Sequence, residues 1–268
     1  MLSALKSDLK KLASPKRAEI SLRFFKTGEG QYGEGDVFIG VVVPDIRNVA
    51  KKHKDLSLAD AAKLLKSKIH EERLTALFIL VDKFQRGSDS DKEKIYKLYL
   101  QNTKYINNWD LVDLSAPKIV GAYLSNKPKN ICPMSIGSSS PLSVGVLTPL
   151  SVGVLTNRPG VCQKTNTERA SRDILYQLAH SKSLWERRIA ILATFEFIRQ
   201  YDFVDGLKIA KILLKDDHDL IHKAVGWQLR EVGKRNLKAE QNFLKQHYKN
   251  MPRTALRYAI EKFPEAKR

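Results

Sequence analysis

Trp109 and Asp113 stand four residues apart in INNWDLVD (106–113), so on a helix they share one face. An indole face beside a carboxylate can accommodate positive charge, the ring through its quadrupole and the acid as a counter-ion. The ordinary alternative is a tryptophan packed in the core and an aspartate in solvent. The chain has three tryptophans, and the others are Trp185 and Trp227. Whether any of them meets Asp113, or Arg188 farther along, depends on the elements that carry them.

Those elements are helical. SLADAAKLLKSKIHEERLTALFILVDKFQRG (57–87) has the period of two antiparallel helices with a break near Lys68–His70. Further helical period runs through 91–103, 109–126, 184–200, 205–217, 219–235, 239–248 and 252–263, several opening on Asp, Ser or Pro. The one candidate strand, DVFIGVVVP (36–44), is short and isolated. The second helices resemble one another: a basic residue precedes a small one by three positions at Arg73/Ala76, Arg187/Ala190 and Lys223/Gly226. In the Trp109 helix Asp110 and Asp113 take those two places. The small positions recur at intervals of 37, 77 and 36 residues, which suits a two-helix repeat of HEAT or armadillo type. The expected fold is therefore an all-α helical-repeat solenoid, one domain over 1–268.

The long interval holds about one repeat and 40 further residues. Asn130–Ser171 carries GSSS and little charge, and PLSVGVLT occurs in tandem at 141–148 and 149–156. We read 130–171 as an irregular, disordered low-complexity insertion between repeats. In a solenoid, equivalent positions line one surface. Trp109 and Trp227 should then face a common concave groove, with Asp113 and Arg188 alongside.

Composition narrows the partners. Lys and Arg number 47 against 29 Asp and Glu, a formal charge of +18, which points to a polyanion, most simply nucleic acid. Two cysteines without a CxxC, Cys132 and Cys162, form no zinc or disulfide pattern. Of the six histidines only His218 and His222 are suitably spaced, and they lack the Glu of an HExxH site, so we place them on the surface. GEGQYG (28–33) matches G-x-G-x-x-G formally but follows a helical stretch, and reads as a loop. No metal or cofactor is expected. With neither an apolar leader nor a membrane-length segment, the chain is expected to be cytoplasmic, with no membrane association, and monomeric.

FFKTGEGQYGEGDVFIGVVVPDIR (24–47), NNWDLVD (107–113), LWERRIAILATF (184–195), HKAVGWQLREVGKRN (222–236) and MPRTALRYAIEKFPE (251–265) together resemble the AlkD-type alkylpurine DNA glycosylases. The likeness covers nearly everything except 130–171. It implies a C-shaped array of HEAT-like repeats that grips duplex DNA carrying alkylated bases and hydrolyses the N-glycosidic bond of N3- and N7-alkylated purines. By that resemblance Asp113 and Trp109 are the catalytic pair, Trp227 is a second groove tryptophan, and Arg188 holds a backbone phosphate near the lesion. Val42 stands where some relatives carry a polar groove residue, which bears on lesion preference. The alternative is a non-catalytic HEAT-repeat protein that binds damaged or branched DNA.

Overall fold

The computed structural model describes residues 1–125 and 166–265, apart from the side chains of 166–171. Its helices are α1 (Leu2–Lys11), α2 (Pro15–Phe24), α3 (Val43–Lys52), α4 (Leu58–Leu65), α5 (His70–Arg86), α6 (Asp89–Gln101) and α7 (Trp109–Ala116). They continue as α8 (Ala122–Ser125), α9 (Asn166–Ala179), α10 (Leu184–Arg199), α11 (Val204–Leu213), α12 (Asp219–Gly233), α13 (Leu237–His247) and α14 (Arg253–Ala259). The chain is all-α, and the only β pairing among the described residues is an isolated parallel bridge between Val37 and Ile69.

Packing follows the repeat. The second helices stand in single file, α5 against α7, α7 against α10, α10 against α12 and α12 against α14. Outer helices α4, α9, α11 and α13 cover α5, α10, α12 and α12 in turn, while α6 packs on α5. Between the layers lie fully buried residues such as Leu77, Leu80, Ile119, Ile189, Leu192 and Leu229. Burying each such side chain contributes roughly 1.5–3 kcal/mol before chain entropy is subtracted.

In two of the three repeats the basic residue proves to be a staple, whereas Lys223 pairs with Asp219 of its own helix. Arg73 Nη1 donates to the carbonyls of Ser67 (3.1 Å) and Lys68 (3.3 Å), while Nη2 donates to Asp36 (2.6 Å). Arg187 repeats the pattern: Nη1 reaches the carbonyls of Ser181 and Lys182, both at 3.0 Å, and Nε and Nη2 reach Asp216 at 2.5 and 3.3 Å. Each arginine thereby ties the turn between two helices to a neighbouring carboxylate. The small residue three positions later permits close packing. A Cβ on Gly226 would come within 2.4 Å of the Ala255 carbonyl oxygen, so α14 could not lie against α12 as it does.

One expectation changes. The array resumes at Asn166, so the last six residues of the span read as an insertion, 166–171, belong to α9; the PLSVGVLT copies and both cysteines lie outside the described residues. DVFIGVVVP forms no strand, in keeping with the all-α reading, because helix α3 begins at Val43 and the amides before it find a different acceptor. The Glu71 carboxylate, 3% exposed, takes the N–H groups of Ile39 (3.1 Å), Gly40 (2.7 Å) and Val41 (3.3 Å).

Candidate functional site

Helix α7 starts on Asn108, whose Oδ1 accepts the Trp109 N–H at 2.8 Å. Asp113 follows one turn later. Pro117, four residues on, has no N–H to offer the Asp113 carbonyl, and the chain passes through a π-helical turn over Pro117–Gly121 before α8. The helix is thus interrupted directly behind the carboxylate.

Asp113 meets Arg188 of α10 as a two-pronged ion pair. Arg188 Nε donates to Oδ1 and Nη2 to Oδ2, each at 2.7 Å, and Nη1 donates to the Leu220 carbonyl at 2.5 Å. Arg188 is 5% exposed. Burial raises the Asp113 carboxyl above its ordinary pKa, Arg188 opposes that shift, and the neighbouring Asp110 adds a smaller upward push. A carboxylate offers about four lone-pair sites, so two remain for a water or a substrate group.

A cleft of about 400 Å³ opens beside Arg188, and Asp113 adjoins it through that arginine rather than lining it. Trp109, Trp227, Tyr32 and Tyr258 supply aromatic surface to it, Arg188, Lys223 and Arg230 supply cations, and Leu220 completes the lining. Lys223, Trp227 and Arg230 occupy positions i, i+4 and i+7 of α12, one face of that helix. Lys223 pairs with Asp219 at 2.7 Å and Arg230 with Glu261. Trp109 is backed on one side by Phe25, stacked at 5.3 Å and 20°. Trp227 is braced by the edge of Phe195 at 4.7 Å.

Trp109, Asp113, Arg188 and Trp227 are therefore brought together. Trp185 takes the ordinary alternative: it is 9% exposed and belongs to the core. His218 and His222 are half-buried and serve local structure. His218 Nδ1 accepts the Leu220 N–H at 3.1 Å to cap α12, and the His222 ring bonds the Asp216 carbonyl. GEGQYG is a loop, as expected, but one that delivers Tyr32 to the cleft and against the edge of Trp185 at 6.0 Å. Sequence reasoning passed over Tyr32 and Tyr258; a lone tyrosine in a glycine-rich loop was the signal available for the first. Val42 is 36% exposed and lines a separate apolar cavity of about 350 Å³ beside α2. No group of three or more His, Cys, Asp or Glu able to hold a metal occurs among the described residues.

Residues 5–135 and 159–263 match a family described as DNA alkylation repair enzyme. Among curated proteins none matches the chain. A solved structure described as a "predicted DNA alkylation repair enzyme from Enterococcus faecalis" superposes with a TM-score of 0.62 at 14% identity, over 94% of this chain and 97% of the other. At that identity the likeness is one of fold.

Proposed function

The chain belongs to the DNA alkylation repair enzymes, and from that premise we propose that it is a DNA glycosylase acting on N3- and N7-alkylated purines in duplex DNA. The observation that carries the reading is the half-buried Asp113 carboxylate, gripped at two points by Arg188, which itself lines a cleft walled by Trp109 and Trp227. An alkylated purine of this kind is a cation. When its C1′–N bond breaks, the electron pair goes to the base and neutralises it, and positive charge passes to the sugar. A fixed carboxylate stabilises that oxocarbenium-like sugar and can take the proton of the water that adds to C1′. No general acid is needed.

The indole faces favour the cationic nucleotide over its neutral counterpart by about 0.5–2 kcal/mol each, depending on desolvation. Arg188 is committed to Asp113 and Leu220, which argues against the phosphate role implied by resemblance and for a positioning one. Backbone phosphates fall instead to Lys223 and Arg230, which flank Trp227 on the same helix face and whose pairs with Asp219 and Glu261 are more exposed than that of Arg188 and more readily exchanged for a phosphate. Such contacts release counterions, so duplex affinity should fall with salt at a log–log slope of about −0.9 per neutralised phosphate.

The test is incubation with duplex DNA containing N7-methylguanine and detection of free base. Release by the wild type, lost in Asp113→Asn, is the expected result. Salt-sensitive binding without any release would instead identify a non-catalytic DNA-binding protein.

A further inference from the structure

We propose that His70 is a positioning residue: as an imidazolium locked between Asp36 and Asp110, it holds the first turn of α7 and, through two stacked phenylalanines, the plane of Trp109. The proposal deepens the glycosylase reading, and only its kinetic arm rests on that reading.

The geometry forms a closed circuit. His70 is 1% exposed at the start of α5. Its Nδ1 lies 3.1 Å from Asp36 Oδ2 and its Nε2 lies 2.7 Å from Asp110 Oδ2. A carboxylate only accepts, so at these two contacts both ring nitrogens donate, as only the imidazolium can; the opposing contact, Arg73 Nη2 to Nδ1, is the longest of the three at 3.5 Å. The Asp110 that receives one of them is the residue after Trp109.

A second route passes through Asp36, whose Oδ2 also accepts from Asn108 Nδ2 at 3.2 Å; Asn108 in turn holds the Trp109 N–H. The third route is a stack of rings. His70 lies on Phe38 (4.5 Å, 22°), Phe38 on Phe25 (4.9 Å, 17°), and Phe25 on Trp109. Backbone, first turn and indole of the Trp109 region are thus all tied to one buried ring.

Charge completes the case. The groups facing His70 are Asp36 from the loop before α3, Asp110 from α7 and Arg73 from its own helix, one turn on. The neighbouring Glu71 points instead to the amides of 39–41. With His70 charged, two anions balance two cations; with His70 neutral, a buried negative charge is left over beside the candidate site. Burial works against the imidazolium, but the two carboxylates prevail and hold its pKa above the ordinary histidine value. A histidine raised in this way contributes stability that is complete below the ordinary pKa and is lost as pH rises through the elevated one. Misplacement of a reacting group by about 1 Å can cost about a hundredfold in rate, so the clamp bears directly on turnover.

The experiment follows the indole N–H resonance of Trp109, assigned by its absence in Trp109→Phe, together with the His70 ring signals from pH 6 to 10. The Trp109 resonance should move with the same midpoint as His70. In His70→Gln it should be displaced at every pH, with base release lowered about tenfold or more while binding to undamaged duplex is retained. Asp110→Asn keeps the ring and removes one partner, and should lower both midpoints together. A Trp109 signal indifferent to His70 titration and to both substitutions overturns the proposal. If the wild type releases no base, the glycosylase reading fails, and the resonances still decide the clamp.

Discussion

The first turns of α5 and α7 hold equivalent places in the repeat and are built in opposite ways. In α5 the repeat positions are Arg73, a staple to two carbonyls and Asp36, and Ala76, buried completely. In α7 they are Asp110, which pairs with His70, and Asp113, which pairs with Arg188. The first arrangement closes a turn and lets helices approach. The second puts two carboxylates where packing alone would call for an arginine and an alanine. Arg187 and Arg188 show the same division within one helix, the former tying its turn to Asp216 and the latter holding Asp113. A repeat protein displays its site where it departs from its own rule.

The comparison breaks first at Asp113. Asp113→Asn should lower base release by about two orders of magnitude or more while leaving the fold standing. Single-turnover assays on N7-methylguanine duplex beside thermal melts check both halves, and equal excision by the two proteins would remove the aspartate from the mechanism. The reciprocal change, Ala76→Asp, imposes the α7 residue on the α5 position without a partner. An unpaired charge there should destabilise the fold by about 3 kcal/mol or more, read from denaturant midpoints.

Glu240 sharpens the contrast between paired and unpaired acids. It is 2% exposed, its Oε1 has no hydrogen-bond partner among the described residues, and burial pushes its pKa up to about 8. Between about 4.5 and 8 the folded chain keeps this proton and the unfolded chain loses it, so stability falls as pH rises across that window. Glu240→Gln should flatten the decline and be more stable than the wild type above pH 8 by on the order of 3 kcal/mol.

The smallest effect is the acid limb of activity. Because burial raises the Asp113 carboxyl, excision should fall on acidification at a pH above 3.8, the ordinary value, and the limb should be absent in Asp113→Asn. A limb at or below 3.8 would mean that Arg188 outweighs burial.

Helical period was legible along the chain because each buried stripe is local: a residue and its neighbours three and four positions away face the same core. The approach of Trp109, Asp113, Arg188 and Trp227 was legible only as far as all four lie on second helices, which line one surface; their places within the repeat differ, Trp109 four before the small position, Arg188 two before and Trp227 one after. Long-range polar contacts left no such trace. Asp36, His70 and Asp110 are 34 and 40 residues apart, and nothing in their spacing foretells that one buried ring joins them. The 36–44 segment has strand-like composition without being a strand because the amides of 39–41 are satisfied by a side chain, Glu71, rather than by a second strand. Arg188 was identified as a residue of the site, but its engagement with Asp113 depends on the distance between two helices, which sequence pattern does not contain.

The Asp113–Arg188 pair has a consequence for how the protein can be divided. Asp113 precedes Ser125, the end of α8, and Arg188 follows Asn166, the start of α9, so each half of the chain contributes one member of the pair and one of the two groove tryptophans. The site is therefore a seam. A fragment ending at Ser125 and another beginning at Asn166 would each be chemically incomplete, and excision would return only when α7 docked on α10. Catalysis would then serve as a complementation signal, reporting the reassembly of two polypeptides along the line where their helices meet.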